Sequence, residues 1–396
     1  MGRHFPVHTA AMADTDDDRR ALVDLILAGG PVPPRQRLLE QAGTPDLAWR
    51  LGPSGWRAAG MSPAQCHAWQ HPDERRAAAA HRWLDGADGR HLLHPCHPDW
   101  PPLLHHVPQP PLGLFAEGRL SLLQEPAVAV VGSRKASHGG RAIAADLAHQ
   151  LVNSGLLVAS GLASGIDAAA HQAGLDAGDS GLAVIGTGPD RCYPASNHPL
   201  WGELVRRGLV ISEYPPGTTP RPHHFPARNR ILAGLCLAVV VVEAAERSGA
   251  LLTARLASEA GREVFAVPGS LHNPLSRGCH RLLRDGAGLL ESIDDLLPAL
   301  RPLLAAQGIV PSVTSACGSG VSAGPADPLE RRIWEALESD PIDMDELGLR
   351  TGLTVAGLSS ILPALELDGW ISCQHGRFVR SSAPPTPIAS SDAGRG

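Results

Sequence analysis

Lysine is almost missing from this chain: Lys135 is the only one, and every other cation is arginine. Alanine, glycine and proline are plentiful alongside it, the pattern of a coding bias towards GC-rich codons, so arginine abundance alone says nothing about phosphate binding. Net positive charge is missing too. At −6 over 396 residues, the chain cannot coat nucleic acid through its global field, because counterion release needs cations clustered against phosphates; any such site must be a local patch. The seven cysteines are scattered, odd in number and never spaced C-x-x-C, which excludes a disulfide framework and fits free thiols in a reducing compartment. The N-terminal stretch lacks the apolar core of a secretory signal. The longest apolar run, Ile231 to Val242, is too short to span a bilayer. A cytoplasmic protein with no membrane partner is expected.

Three segments and two seams organise the rest. Residues 18–85 read as short helices broken by Gly and Pro, with Trp49, Trp56 and Trp69 as core anchors. A Pro- and His-rich connection, 86–126, follows. Its His91, His94, Cys96 and His97 raise a zinc reading, but the spacing matches no paired-ligand pattern, and no metal is expected. From 127 to 300 buried apolar runs (AVAVVG, LLVAS, GLAVIG, LVISEY, LAVVVVEA, EVFAVPG) alternate with amphipathic helices. Runs without polar alternation are covered on both faces, which predicts a parallel sheet in an α/β fold. Residues 301–327 are Gly-, Ser- and Pro-rich and read as a linker. The order helix, helix, turn, helix, hairpin over 328–380 predicts a winged helix, and 381–396 reads as a disordered tail. The winged module carries nine acidic residues against five arginines, and its second helix, Thr354 to Leu367, has no cation, so protein contact is favoured over DNA contact there.

In open parallel sheets ligands bind beyond the carboxyl ends of the strands. The loops there are small and hydroxyl-rich: Gly132-Ser133-Arg134-Lys135 after the first run, Ser160-Gly161 opening the second, then Gly186-Thr187-Gly188, Ser248-Gly249-Ala250 and Pro268-Gly269-Ser270. Several precede helix N-termini, which favour anions, and Arg134 and Lys135 add charge at the first. A dinucleotide site would need G-x-G-x-x-G and ATP chemistry a Walker loop; neither is present, and no cofactor is expected. The loop after the fourth run, Gly217 to Arg230, holds Arg221, Phe225, Arg228, Asn229 and Arg230. No Asp or Glu occurs from Tyr214 through Val242, although Ala127 to Leu300 balances fifteen cations with fifteen acids. One of only five phenylalanines among segregated cations is the combination of stacking platform and electrostatic groove that single strands require. A second basic run, Arg277 to Arg284, either extends that groove or forms a solvated helix face.

Taken together, the stretches VAVVGSR, SGLASGIDAAAH, AVIGTGPDRCYPASN, LVISEYPPGTTPRPHHFPARNRILAGL, VVVVEAAERSGALLTARLASEAGREVFAVPGS and RGCHRLLRDGA, from about 128 to 287 in uninterrupted order, resemble the DprA/Smf family of bacterial DNA-processing proteins. The upstream HPDWPPLL and PPLGLFAEG resemble its lead-in. The resemblance implies an extended Rossmann-like core that binds single-stranded DNA, dimerises, and delivers the strand to the RecA recombinase during natural transformation. It also implies a SAM-like or helix-hairpin-helix character for residues 18–85 and an accessory winged tail. The family's phosphate pocket maps onto Gly132, Ser133 and Arg134, and its basic-aromatic loop onto Arg221, Phe225, Arg228, Asn229 and Arg230. Where many relatives have Asn after Gly-Cys, this chain has His280.

Two other classes of function compete. A nucleotide phosphoribohydrolase would use Asp167 and Glu243 as acids, but the Pro-Gly-Gly-x-Gly-Thr loop of such enzymes is absent, and both carboxylates are expected to hold loops by accepting backbone amides; no catalytic residue is assigned. A protein-only scaffold leaves the acid-free loop unexplained.

Overall fold

Polar caps and prolines set the helix boundaries from the first turn onwards. The computed structural model describes residues 15–306, 325, 327–337, 342–374 and 376–380. Thr15 caps α1 (Asp16–Leu27) by accepting from the Asp18 amide, and three aspartates occupy the first turn, at the positive end of the helix dipole. Proline stands in the first turn of α2 (Val32–Ala42), α3 (Pro45–Arg50), α4 (Gly52–Ala58) and α5 (Pro63–Gln70), where its missing N–H has no partner to lose. Ser62 and Gln65 close a capping box on α5, and α6 (Glu74–Asp85) completes the module. Trp56 and Trp69 are fully buried anchors, and their indole N–H groups donate to the Ala48 and Ala21 carbonyls. Trp49 differs from expectation. Its ring lies 5.1 Å and 5.3 Å from the other two but stays 39% exposed, because a helix of six residues can turn only a narrow face inward.

The Pro- and His-rich stretch is more than a connection. It contributes β1 (Arg90–Leu93) and β2 (Leu114–Gly118), which pair antiparallel. The parallel strands follow as β3 (Ala127–Val131), β4 (Leu157–Ser160), β5 (Leu182–Ile185), β6 (Leu209–Ser212), β7 (Ala238–Val241), β8 (Glu263–Ala266) and the short β9 (Gly288–Leu289). One nine-stranded sheet runs β1-β2-β6-β5-β4-β3-β7-β8-β9, with β2 antiparallel to β6. Between strands lie α7 (His138–Asn153), α8 (Ile166–Gly178), α9 (His198–Arg207), α10 (His224–Leu235), α11 (Gly249–Glu259) and α12 (Arg277–Arg284), with α13 (Ile293–Ala306) last. The unalternated runs have their cause here: Ala127, Ala129 and Val131 enter one core with Ile231, Leu232 and Ala254, while Val128 and Val130 enter another with Leu147, Leu151 and Leu300. Each residue of β3 is covered, whichever way it points.

Residues 301–306, expected in the linker, finish α13; 307–324 and the tail 381–396 lie outside the described residues. A separate unit, residues 314–396, contains α14 (Pro328–Ala336), β10 (Ile342–Asp343), α15 (Met344–Thr351), α16 (Val355–Leu367), β11 (Ile371–Gln374) and β12 (Arg377–Arg380). Its three-stranded sheet and its core of Ile333, Leu347, Leu358 and Leu365 form the expected winged helix.

Replacing Trp69 by Ala should destabilise the N-terminal module by about 3–5 kcal/mol, the cost of truncating a buried aromatic. Urea denaturation followed by tryptophan fluorescence reads it; an unchanged midpoint would contradict the anchor role.

Candidate nucleic-acid interface

The strand order reverses at β3: the next strand in the chain, β4, lies on one side of it and β7 on the other. Loops leaving the carboxyl ends of β3 and β7 therefore diverge, and a crevice opens between them. It is an open cleft of about 770 Å³, lined by Gly132 to Lys135, Gly161, Tyr193, Arg221, Phe225, Arg228, Asn229 and Arg247, among others.

Close packing shapes its first wall. A Cβ on Gly132 would come within 2.6 Å of the Ile166 side chain. Gly165 has φ +83°, and a Cβ there would meet the Ser133 carbonyl oxygen at 2.2 Å, so the loop after β3 lies directly on the start of α8 only because both positions are glycine. Ser133 is nearly buried, and its Oγ accepts from the Lys135 amide at 3.1 Å. Glu243, at the end of β7, accepts from the Ser137 amide at 2.9 Å and its hydroxyl at 2.6 Å. Asp167 accepts from the amides of Gly161 and Ala163 at 3.1 Å and 3.3 Å. Both carboxylates hold loops, as expected from the sequence.

Arg134, Lys135 and Arg221 are exposed around the cleft. The Arg134 guanidinium lies 5.4 Å from the centroid of the Phe225 ring, within cation–π range. Phe225 is half-buried and faces the cleft; it lies 5.4 Å from the ring of Tyr193. Sequence reasoning passed over Tyr193 and the exposed Arg247; both sit in loops after strand ends, and that position was the available signal.

Three expected residues behave differently. Arg228 is only 5% exposed: its guanidinium donates to the Val184 carbonyl at the cleft floor, under Gly161, whose missing side chain leaves it room. Burial pushes its pKa down to about 10 against the opposing pull of Asp167, while burial raises the Asp167 carboxyl against the pull of Arg228. Arg230 turns aside to Glu213, bonding both carboxylate oxygens at 2.5 Å and 2.6 Å; the acid-free window begins one residue after its partner. Ser160 is fully buried and donates to the Val130 carbonyl at 2.7 Å, which removes it from the lining. Asn229 lines the cleft, half-buried. In the Pro- and His-rich stretch, His94 and His97 accept from the Cys96 and Asp99 amides, and no group of three or more potential metal ligands forms among the described residues.

Known proteins resemble this chain in sequence and fold. Residues 91–301 match the family model described as DNA recombination-mediator protein A, and residues 320–377 match the DprA winged helix domain. Protein Smf of Synechocystis sp. is 38% identical over 317 residues, covering 73% of this chain and 80% of the relative. The DNA processing protein DprA of Streptococcus pneumoniae is 48% identical over 206 residues, 52% of this chain and 72% of the relative. The X-ray structure of DNA processing protein A from Streptococcus pneumoniae superposes with a TM-score of 0.63 at 37% identity, over 72% of this chain and 98% of that one.

Behind the cleft, His171 on α8 is fully buried, and desolvation, with the Arg228 charge acting in the same direction, drives its pKa from 6.5 to about 3. The folded state keeps the ring neutral where the unfolded chain takes a proton, so stability contributed above pH 6.5 is lost as pH falls towards 3, by up to about 1.4 kcal/mol per unit. His171→Leu should flatten that dependence. Urea midpoints at pH 7 and pH 5 measure it, and equal pH dependence in both proteins would refute the assignment.

Proposed function

Because the chain belongs to the DNA recombination-mediator protein A (DprA/Smf) family, we propose that it binds single-stranded DNA in the cleft beside β3 and loads the RecA recombinase onto that strand. The observation that carries this reading is the pairing of exposed cations with a half-exposed aromatic pair. Arg134 reaches over Phe225, Tyr193 lies beside it, and Lys135, Arg221 and Arg247 ring the opening. A guanidinium grips a phosphate bidentately, and an exposed ring takes an unpaired base on its face. Bases inside a duplex already have both faces stacked, so the site favours single strands. The two acids that a hydrolase would need hold loop amides instead, which supports binding over chemistry.

Fluorescence anisotropy with oligothymidylate should give micromolar or tighter affinity that weakens with salt, with a slope of about 0.7 per phosphate neutralised. Arg134→Ala should lower affinity and slope together, and Phe225→Ala should lower affinity about 5- to 150-fold, the worth of one stacked base. Arg230→Ala should do far less, since Glu213 already holds that charge. Full affinity in both the Arg134 and Phe225 variants would sink the binding site. On strands precoated with single-strand-binding protein, RecA filaments should assemble faster with this protein and not with the Arg134 variant; no acceleration would remove the loading role.

A further inference from the structure

Helix α10, which carries Phe225, is tied to the sheet at three points. His224 donates from Nδ1 to the Gly186 carbonyl at 3.1 Å, and Arg228 donates to the Val184 carbonyl. Both acceptors belong to β5 or to the residue after it, and two ties to one strand leave a helix free to roll about the line that joins them. The third tie, Arg230 to Glu213, goes to the end of β6 instead; it fixes the roll, and with it the direction in which Phe225 points. The helices of residues 16–85 lie outside the 91–301 stretch that matches the family model. We infer that they act on the cleft all the same: Arg35 of α2 helps to fix the Glu213 carboxylate to which Arg230 is tied, so the helical module is a positioning element for the stacking ring. The inference rests on the binding reading proposed above.

Three observations carry it. Arg35 is 4% exposed and donates to the carbonyls of Leu25 at 2.9 Å, Ile26 at 3.3 Å, Gly30 at 2.8 Å and Pro31 at 3.4 Å, so it is held at the end of α1 and cannot swing. Those partners are neutral, and a buried charge needs an opposite one. Burial pushes the Arg35 pKa down to about 10, against the pull of the Glu213 charge. Glu213 thus serves two sequestered guanidinium groups, one from the module and one from α10. The backbone carries the same link. Strand β2 pairs with β6 so that Phe115 stands opposite Ser212, the residue before Glu213. The Phe115 side chain is fully buried in the module's core with Trp69 and Trp83, its ring 6.0 Å from that of Trp83. Gln36, next to Arg35, adds a tie by donating to the Pro110 carbonyl at 2.6 Å. Finally, Arg230 has little else to orient it. Its Nη1 is buried without a hydrogen-bond partner, and the Arg230 and Glu213 side chains are only 16% and 17% exposed, so a shift of the carboxylate carries the guanidinium and its helix with it.

The test uses the full chain and oligothymidylate, with anisotropy read over a salt series. Glu213→Gln, which keeps the shape and removes the charge, and Arg35→Gln should each lower affinity about threefold, a fraction of the worth of one stacked base. The salt slope should stay as it is, because no phosphate-contacting cation is lost. Arg35→Lys, which keeps the charge, should retain most of the affinity. The double variant should bind no worse than Glu213→Gln alone, since both changes act through one carboxylate. In a Phe225→Ala background neither substitution should lower affinity further. Equal losses with and without Phe225 would mark general destabilisation and overturn the inference. So would a rise in affinity and slope in Glu213→Gln, the sign of a carboxylate that only masks Arg230. Gln36→Ala cuts the module's tie to Pro110 without removing a charge, and should lower affinity by a smaller factor in the same Phe225-dependent way; full affinity there, with Arg35→Gln unable to fold, would also overturn it. Phe225→Ala separates the two levels: if it lowers affinity and neither Arg35→Gln nor Glu213→Gln does, only the positioning role fails; if neither it nor Arg134→Ala does, the cleft itself is wrong.

Discussion

A charged guanidinium buried under the cleft floor is the constraint on which the site depends. Arg228 has a carbonyl of β5 as its hydrogen-bond acceptor and the Asp167 carboxylate as its compensating charge. Removing either charge leaves the other without its compensation in a buried place. Asp167 in turn holds the turn after β4 through two amides, and Gly161 in that turn leaves the space that the guanidinium fills. The start of α10 is thereby locked against two strands. Phe225, three residues before Arg228 on the same helix, takes its place at the cleft from that lock.

The second determinant is topology. The cations and rings around the opening come from positions 134, 193, 221, 225 and 247, and no short motif holds them together. They meet because each follows a strand of one parallel sheet, and the sheet's order diverges at β3. Glu243 ties the two sides of the crevice, with its carboxylate from the end of β7 capping the loop that leads into α7.

Much of this was legible in the sequence, and the gaps have physical causes. Six parallel strands could be read because both faces of each are covered, leaving apolar runs; β9 escaped because two residues carry no pattern. β1 and β2 escaped because four- and five-residue strands lie among prolines and histidines. Charge and position in the sequence pointed to the first loop and Phe225, and both line the cleft. Arg228 was read as part of an exposed basic loop and lies buried instead; His224, Arg228, Ile231, Leu232 and Leu235 have the helical spacing of a buried face. Arg230 was misread because counting acids along the chain sees sequence neighbours, whereas Glu213 reaches it across space. Ser160 looked like a ligand because hydroxyls at strand ends often are; its strand neighbour claimed it first.

Net charge then bears on selectivity. At −6 the chain as a whole repels a polyanion, and at physiological ionic strength that field is screened beyond about 8 Å. Approach to a strand is therefore not driven from afar, and affinity has to arise within contact distance of the opening. There the available interactions are the local cations and the ring faces of Phe225 and Tyr193. Cations alone would accept duplex and single strand alike, since both present phosphates. Ring faces accept only bases free to leave a stack. On the proposed reading, with long-range attraction small, the stacking contribution is a larger share of the total, so a negative protein with a small basic, aromatic mouth should discriminate between the two forms better than a globally basic one.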